Sequence, residues 1–322
     1  LNVLKKPRPE LETYKYAMPG DEFVPQSELW FFSADTKEGF EVDVDKYKDQ
    51  TISVYPIKER SDEVYFVRTD RTVATKDVCL INTETGELKE LFSETDEPYW
   101  HSNSTLAVVN SGKDLLWWSE RTGWGQYYLY DSQGNLKNQI TKGNFIAGRI
   151  TQIDTLGRSF IFSGVGREKD IHPYYAMNYK VDFDGSGFQL LTPEDATHSI
   201  RVSKSDDYLV DTYSRADMAP KSVLRDTKGN LLLELEETDL RRLYETGWKM
   251  PEIFKVKAVD GVTNLYGIMW TPLKMEEGRS LLDLSALISD LRELLGVKVD
   301  VVSEEGLYWL LRRRILKEAR PL

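Results

Sequence analysis

The sequence predicts a mainly β protein: a partial β-propeller of about five blades, followed by a small α/β tail of helix, strand and helix. Three observations predict this fold class. Short strand-like runs recur through residues 11 to 235, where helical periodicity is nearly absent. Successive runs are joined by polar turns that contain glycine. Beyond Met275 the apolar residues change to helical spacing.

The glycine-containing turns recur at an almost constant interval. Their glycines are separated by 47, 48, 51 and 44 residues, at Gly39, Gly86, Gly134, Gly185 and Gly229. Glycine accepts the positive φ that such turns need, and the flanking runs alternate apolar and polar residues as hairpin strands do. A four-stranded blade takes about 40–50 residues, so each turn predicts one blade. A β-sandwich would place its turns at shorter and less regular intervals.

The composition limits the classes of partner. The hydrophobic fraction of 40% supplies a sizeable core. A net charge of −11 repels phosphate groups, so we expect no nucleic-acid partner. No run of 18 apolar residues occurs, so we expect no membrane-spanning helix and no membrane partner. No signal peptide is visible, and the polar start from Leu1 to Glu10 looks like the middle of something longer, which leaves the compartment undetermined.

Cys79 is the single cysteine, so the chain can form neither an intramolecular disulfide nor a thiolate metal cage. It lies in the run Asp77–Ile81, where a cysteine serves as a small apolar strand residue. We therefore expect Cys79 to be structural. No other pattern in the chain predicts a metal-binding residue or a cofactor.

The middle of the chain holds an aromatic and charged segment. We expect Trp117, Trp118 and Trp124 to lie in the core between blades, because strands stack large side chains there. Glu120 and Arg121 are expected to satisfy a turn or to form a surface salt bridge, which contributes little stability. A ligand site at this pair is the alternative.

Four segments, in this order along the chain, carry a resemblance to a known family. They are Arg8–Gly20, the run Trp117–Tyr130 with its Ser-Glu-Arg-Thr-Gly-Trp core, Asp211–Ser214 followed by Pro220, and Pro251–Phe254 with Asp260, Gly261 and Leu265–Pro272. Together they resemble the dipeptidyl-peptidase IV type N-terminal domain of the prolyl oligopeptidase family. The resemblance implies a partial propeller over residues 1–250 and the truncated start of an α/β-hydrolase domain over residues 251–275. It also implies peptide partners, and the family is often periplasmic or secreted.

The catalytic residues that this resemblance would require are missing from the sequence. A serine peptidase of this type needs a nucleophile on a Gly-x-Ser-x-Gly elbow, with an Asp and a His downstream. No such elbow occurs, and the nearest string, Asp184–Phe188, reads as a turn between strands. The three histidines, His101, His172 and His198, all fall within the propeller repeat and are expected to be strand or loop residues.

The glutamate pair by which the family holds a substrate amino terminus is also missing. Glu236 with Glu237 and Glu276 with Glu277 stand in the wrong contexts to take that role. We therefore predict no catalytic residue in this chain, and its substrate-binding residues stay undetermined.

Residues 276–322 follow a different pattern. Ser280 is placed to cap a helix with an apolar face from Leu281 to Leu295, which Gly296 would end. Val297–Val302 reads as a strand, and a second helix is expected from Ser303 onwards. This helix–strand–helix run resembles the C-terminal half of a minimal, antitoxin-like nucleotidyltransferase domain.

That second resemblance would make Asp300 the third metal carboxylate of such a domain. Its Gly-Ser phosphate loop and its Asp-x-Asp pair are absent from the sequence, so we predict no metal site. The two resemblances meet near Glu276 without a linker rich in glycine, serine or proline. We therefore hypothesise a chimera.

The sequence thus favours a non-catalytic propeller fragment of a serine dipeptidyl-peptidase-like protein, whose role would be the gating of peptide substrates. Two alternatives stay open: a propeller that acts as a binding or interaction module, and a nucleotidyltransferase-like antitoxin fragment. An incomplete propeller exposes strand edges and aromatic faces. We therefore expect self-association, or association with the missing hydrolase domain.

Overall fold

The computed structural model of the chain describes residues 13–18, 20–58, 60–96, 106–271 and 281–296. The backbone forms two compact units. The first comprises residues 1–215 and 219–238, and the second comprises residues 216–218 and 239–322. Within the described residues, the first unit is built from antiparallel β-sheets.

The first unit contains one hairpin and four four-stranded sheets among its described residues. The hairpin consists of β1 (Leu29–Phe32) and β2 (Gly39–Val42). Sheet I consists of β3 (Thr51–Pro56), β4 (Glu63–Thr69), β5 (Thr75–Asn82) and β6 (Leu88–Thr95). Sheet II consists of β7 (Leu106–Val109), β8 (Asp114–Ser119), β9 (Gln126–Asp131) and β10 (Leu136–Gln139). Sheet III consists of β11 (Ile146–Asp154), β12 (Ser159–Val165), β13 (Met177–Asp182) and β14 (Gln189–Leu190). Sheet IV consists of β15 (Thr197–Val202), β16 (Tyr208–Arg215), β17 (Met218–Asp226) and β18 (Leu231–Glu237).

Each sheet is a meander, in which strands adjacent in sequence are adjacent in the sheet. The first strands of neighbouring sheets approach one another, β3 beside β7 and β11 beside β15, as blades do around a common axis. The mainly β, propeller-like fold class is confirmed. The expected five blades correspond to four complete sheets and one hairpin in the described residues.

The glycine period has a structural explanation. In each four-stranded sheet the periodic glycine lies between the third and fourth strands, and at Gly134 and Gly229 φ is 84° and 83°. Gly39 differs, because it is the first residue of β2 and its φ is not positive. A Cβ added to Gly134 would lie 2.6 Å from the carbonyl oxygen of Leu91 in the preceding sheet. One added to Gly229 would lie 2.7 Å from the carbonyl oxygen of Leu191, which follows sheet III. These turns therefore need glycine both for their backbone conformation and for their close approach to the neighbouring sheet.

Four apolar clusters form the core of the first unit, each shared by two consecutive sheets or by the hairpin and sheet I. Strand β8 is buried along its whole length, because it has a neighbouring sheet on both faces. Leu115 and Trp117 pack in the cluster shared with sheet I, whereas Leu116 and Trp118 pack in the cluster shared with sheet III. Side chains alternate between the faces of a strand, so this one run supplies both interfaces. The prediction that Trp117 and Trp118 are core aromatics is confirmed.

Two outer faces of the first unit keep apolar side chains exposed. On the hairpin, the rings of Trp30 and Phe32 stack with their centroids 6.1 Å apart, and Phe32 is 73% exposed. In sheet IV every residue of β18 is exposed, including Leu231 and Leu233. The expected exposed aromatic face is present on the hairpin, and an exposed leucine-rich outer strand is present on sheet IV.

The second unit holds short elements among its described residues. After sheet IV the chain forms the one-turn helix α1 (Arg241–Tyr244). Strands β19 (Glu252–Lys257) and β20 (Asn264–Met269) form an antiparallel hairpin. Helix α2 (Leu281–Leu295) confirms the helix expected there, and the positive φ of Gly296 agrees with its predicted end.

The remainder of the predicted tail, including Asp300, lies outside the described residues, so the strand, the second helix and the nucleotidyltransferase resemblance stay predictions. In the part of the chain that the structure describes, no helix has the length and apolarity needed to cross a membrane.

Candidate functional site at the Ser119 to Trp124 turn

The turn between β8 and β9 carries the most distinctive motif of the sequence, Ser119-Glu-Arg-Thr-Gly-Trp124. The amide of Gly123 donates to the carbonyl oxygen of Glu120 at 2.7 Å, and Gly123 adopts a φ of 82°. The backbone amide of Arg121 donates to the Ser119 hydroxyl oxygen at 3.2 Å. These local hydrogen bonds form a tight turn that directs the Arg121 side chain back over the sheet.

Glu94, from the end of β6 in sheet I, is the acceptor at the centre of the site. The indole nitrogen of Trp117 donates to one of its carboxylate oxygens at 2.8 Å, and the Ser119 hydroxyl donates to the other. The guanidinium of Arg121 forms an ion pair with the same carboxylate. Glu94 therefore links sheet I to sheet II through charge-assisted hydrogen bonds.

Arg121 is held from several sides. Besides Glu94, its Nη2 donates to the hydroxyl oxygen of Tyr130 at 2.8 Å. Its guanidinium lies over the ring of Tyr128, 4.3 Å from the centroid, a cation–π geometry. Burial opposes the charged form, but the hydrogen bonds to Tyr130 and Glu94 raise the pKa of Arg121 above its ordinary value. Arg121 is consequently a permanent, oriented cation, and its side chain stays 30% exposed.

Two further titratable groups lie close to this ion pair. Lys76 stands directly opposite Glu94 in the register of β5 and β6, and it is buried. Burial lowers the pKa of Lys76, while the carboxylates of Glu120 and Glu94 act in the opposite direction. Tyr128 is 3% exposed, and its hydroxyl has no hydrogen-bond partner among the described residues. The site thus combines oriented positive charge with one unsatisfied hydroxyl.

One expectation for this segment was wrong and one is made more specific. Arg121 takes part in the turn through Ser119, and its ion pair is with Glu94, 27 residues earlier in the chain. Nothing in the sequence pattern joins those two residues, since the contact arises from the packing of one sheet on the next. Trp124 is not a core residue: it lies in the turn after β8, outside any strand, and is 38% exposed.

A second ionic cluster lies in and beside sheet IV. Glu194, His198 and Asp211 each offer an atom within 4.8 Å of the others, which makes them the candidate metal group of the described residues. Arg225 already fills this position: its Nε donates to Asp211 at 3.0 Å and its Nη2 to Glu194 at 2.6 Å. The cluster is a satisfied buried ion-pair network, so we assign no metal to it.

Two of the three histidines, His172 and His198, lie in the described part of the chain. Both ring nitrogens of His198 are engaged, Nδ1 with the Asp211 carboxylate at 3.0 Å and Nε2 with the carbonyl oxygen of Glu194 at 2.9 Å. His172 lies in the loop after β12, where its ring stacks on Tyr175 and burial lowers its pKa. These two confirm the expected strand and loop positions, and His101 lies outside the described residues.

Cys79 is buried in β5 as a free thiol. Burial raises its pKa to about 12, so the thiolate needed for a nucleophile is disfavoured. The expectation of a small structural strand residue is confirmed.

Comparison with known structures identifies the fold. The crystal structure of Porphyromonas gingivalis dipeptidyl peptidase 4 is similar with a TM-score of 0.69 at 20% identity, over 85% of this chain and 38% of that one. A proposed dipeptidyl aminopeptidase IV from Bacteroides ovatus ATCC 8483 is similar with a TM-score of 0.66 at 21% identity, over 83% of this chain and 40% of that one. The chain therefore spans less than half the length of either structure.

The family comparison covers most of the described sheets. The model of the dipeptidyl peptidase IV N-terminal region matches residues 2–220, from the start of the chain through sheet III and into sheet IV. The match includes Glu94, the Ser119 to Trp124 turn and its tyrosines, which form the candidate site. The chain belongs to the dipeptidyl peptidase IV N-terminal region family.

Proposed function

We propose that this chain is a non-catalytic, propeller-type portion of a dipeptidyl-peptidase-like serine peptidase, and that it binds and gates peptide substrates. The observation that carries the proposal is the family match over residues 2–220, which coincides with the hairpin and the successive sheets of the first unit. In the family that the sequence resembles, the propeller covers the hydrolase active site and screens substrates by size.

The absence of catalysis is supported by the sequence and by the polar contacts of the described residues. The chain contains no Gly-x-Ser-x-Gly elbow. His198 donates or accepts through both ring nitrogens within its own cluster, so it has no nitrogen left to activate a serine. Cys79 is buried and its pKa is raised.

The alternative of a propeller interaction module is favoured by one observation, the stacked and exposed rings of Trp30 and Phe32. Large exposed apolar surfaces often mark protein contacts. The nucleotidyltransferase-like alternative stays a prediction, because Asp300 lies outside the described residues.

Labelling of the full chain with a fluorophosphonate probe tests the non-catalytic part of the proposal, with an active serine peptidase as the positive control. We expect no covalent label on this chain, because the reagent requires an activated serine. Stoichiometric labelling of any serine would contradict the proposal and would identify the missed nucleophile by peptide mapping.

A further inference from the structure

The sheets of the first unit pack on one another by a contact that repeats with a direction. The turn between the third and fourth strands of one sheet lies against the outer end of the sheet before it. A Cβ added to Gly134 would lie 2.6 Å from the carbonyl oxygen of Leu91 in β6, and one added to Gly185 would lie 2.9 Å from that of Ile140, which follows β10. Each sheet therefore has one face for the sheet before it and another for the sheet after it.

The hairpin of β1 and β2 takes the place of a third and a fourth strand in this repeat. A Cβ added to Gly86, in the third turn of sheet I, would lie 3.0 Å from the ring of Phe40 in β2. Leu29 and Val42 pack in the cluster that the hairpin shares with sheet I. The hairpin thus covers the sheet that follows it, and its opposite face is the one that would receive a preceding sheet.

That opposite face of the hairpin, which we call the hairpin face, consists of Trp30 and Phe32. Both side chains alternate along β1 with the residues that pack on sheet I, and both are exposed. Between sheets I and II, a third-strand ring already makes the corresponding contact. Tyr130 of β9 stacks on Phe92 of β6, the fourth strand of the preceding sheet, with the ring centroids 4.1 Å apart. The hairpin face therefore fits the apolar outer strands of a preceding sheet.

Sheet IV carries an open face of the opposite kind. Leu209 of β16 packs towards sheet III, so Val210 and Thr212 lie on the other face of the strand, where both are exposed. The Thr212 hydroxyl lies 2.9 Å from that of Ser222, which places this residue of β17 on the same face.

The outer strands extend this open face with apolar side chains. Leu224, two residues after Ser222 along β17, shares its face and is paired with Leu233 of β18. Leu233 is 56% exposed. We call Val210, Leu224 and Leu233 the sheet IV face. It offers a following sheet the apolar outer strands that the hairpin face fits.

We propose that the hairpin face of one copy of this chain packs on the sheet IV face of a second copy. Both faces are exposed in the same molecule, so they do not cover each other within it. The contact continues between molecules the packing that joins consecutive sheets within one. Because its two sides differ, the association is head to tail, and successive copies add into rings or filaments. A symmetric dimer would require the hairpin face to meet itself.

Sedimentation velocity of the full chain over a series of concentrations tests the contact with two double variants. Trp30→Ser with Phe32→Ser removes the hairpin face, and Val210→Glu with Leu233→Glu places charges in the sheet IV face. Each variant alone should associate at least about tenfold more weakly than the parent, because it loses the apolar side chains at the centre of the contact. An equimolar mixture of the two should form a dimer and no larger species, because it retains one intact face of each kind.

The matched control is Leu156→Glu with Tyr174→Glu, at two exposed residues in the connections of sheet III, and it should associate as the parent does. Far-ultraviolet circular dichroism checks that each variant is folded. A parent protein that is monomeric at every concentration overturns the proposal, as does a mixture of the two folded variants that stays monomeric. Undiminished association of Val210→Glu with Leu233→Glu also overturns it, in favour of hairpin pairing with hairpin. None of these outcomes bears on peptide binding by the chain.

Discussion

Arg225 and Asp211 form a deeply buried ion pair in sheet IV, with side chains that are 2% and 0% exposed. Arg225 also reaches Glu194, and Asp211 also accepts from His198. The net stability of such a pair is small, because both charges lose their hydration. Removal of one partner strongly lowers the free energy of unfolding, because the charge of the other partner stays buried without an opposite charge beside it.

Replacement of Arg225 by Met should therefore strongly destabilise the first unit. We expect the free energy of unfolding to fall by about 3 kcal/mol or more, since Asp211 would keep its burial without its cation. Arg201→Met, at an exposed residue of β15, is the control and should change stability by less than about 0.5 kcal/mol. Urea unfolding followed by tryptophan fluorescence measures both. Similar stabilities of the two variants would contradict this assignment.

Asp77 in β5 gives the fold a dependence on pH. Burial alone would raise the pKa of Asp77, but hydrogen bonds from Ser93, Lys46 and Arg68 outweigh it and hold the pKa below its ordinary value of 3.8. A carboxyl group whose pKa is lowered by folding contributes stability above its unfolded pKa. That contribution is lost as the pH falls through the folded value.

We therefore expect the parent protein to lose stability more steeply than Asp77→Asn as the pH falls from about 4 to about 2. At neutral pH the variant should be the less stable protein, because Arg68 loses Asp77 and keeps only Glu90 as a charged partner. Urea unfolding at a series of pH values gives both curves. Parallel curves below pH 4 would mean that Asp77 does not contribute to the acid sensitivity.

At the scale of the element, the repeating unit is a four-stranded meander whose third turn packs on the sheet before it. The glycine spacing predicted these sheets, because the turn at Gly134 and that at Gly229 need both a positive φ and a close approach to neighbouring backbone. The pairing of Glu94 with Arg121 could not be predicted in the same way. It depends on how one sheet lies on the next, and no local spacing encodes that.

Two glycines of sheet II separate the effects of turn conformation and of packing. Gly123 and Gly134 have φ values of 82° and 84°, but an added Cβ meets nothing within 4 Å at Gly123 and lies 2.6 Å from the Leu91 oxygen at Gly134. Gly123→Ala should lower the free energy of unfolding by about 1–2 kcal/mol, from backbone strain alone. Gly134→Ala should lower it by at least about 1 kcal/mol more, because the new methyl group also clashes with sheet I. If urea unfolding shows that both variants lose the same free energy of unfolding, the close approach of Gly134 to Leu91 does not contribute to the loss.

At the scale of the whole molecule, the sheets of the first unit stabilise one another through the apolar clusters between them. Among the described residues no such cluster covers the outer face of the hairpin, and its Trp30 and Phe32 side chains are exposed. The sequence predicted exposed faces from the incomplete repeat. It could not predict which side chains would form them, because the face of a strand that turns outward depends on register.

We propose that these exposed faces cause concentration-dependent self-association. The double variant Trp30→Ser with Phe32→Ser should shift the sedimentation profile towards the monomer, because it removes the stacked rings. Leu156→Ser, which removes an isolated side chain that is 98% exposed, should not. A parent protein that sediments as a monomer at every concentration would contradict the proposal.

The central proposal is that this member of the dipeptidyl peptidase IV N-terminal region family binds peptides without cleaving them. Its most direct test is mass spectrometry of a defined mixture of short peptides, after incubation with the full chain and ultrafiltration. The account predicts that some peptides are retained with the protein and that every peptide keeps its original mass. Peptides shortened at their amino termini, or no retention of any peptide, would contradict it.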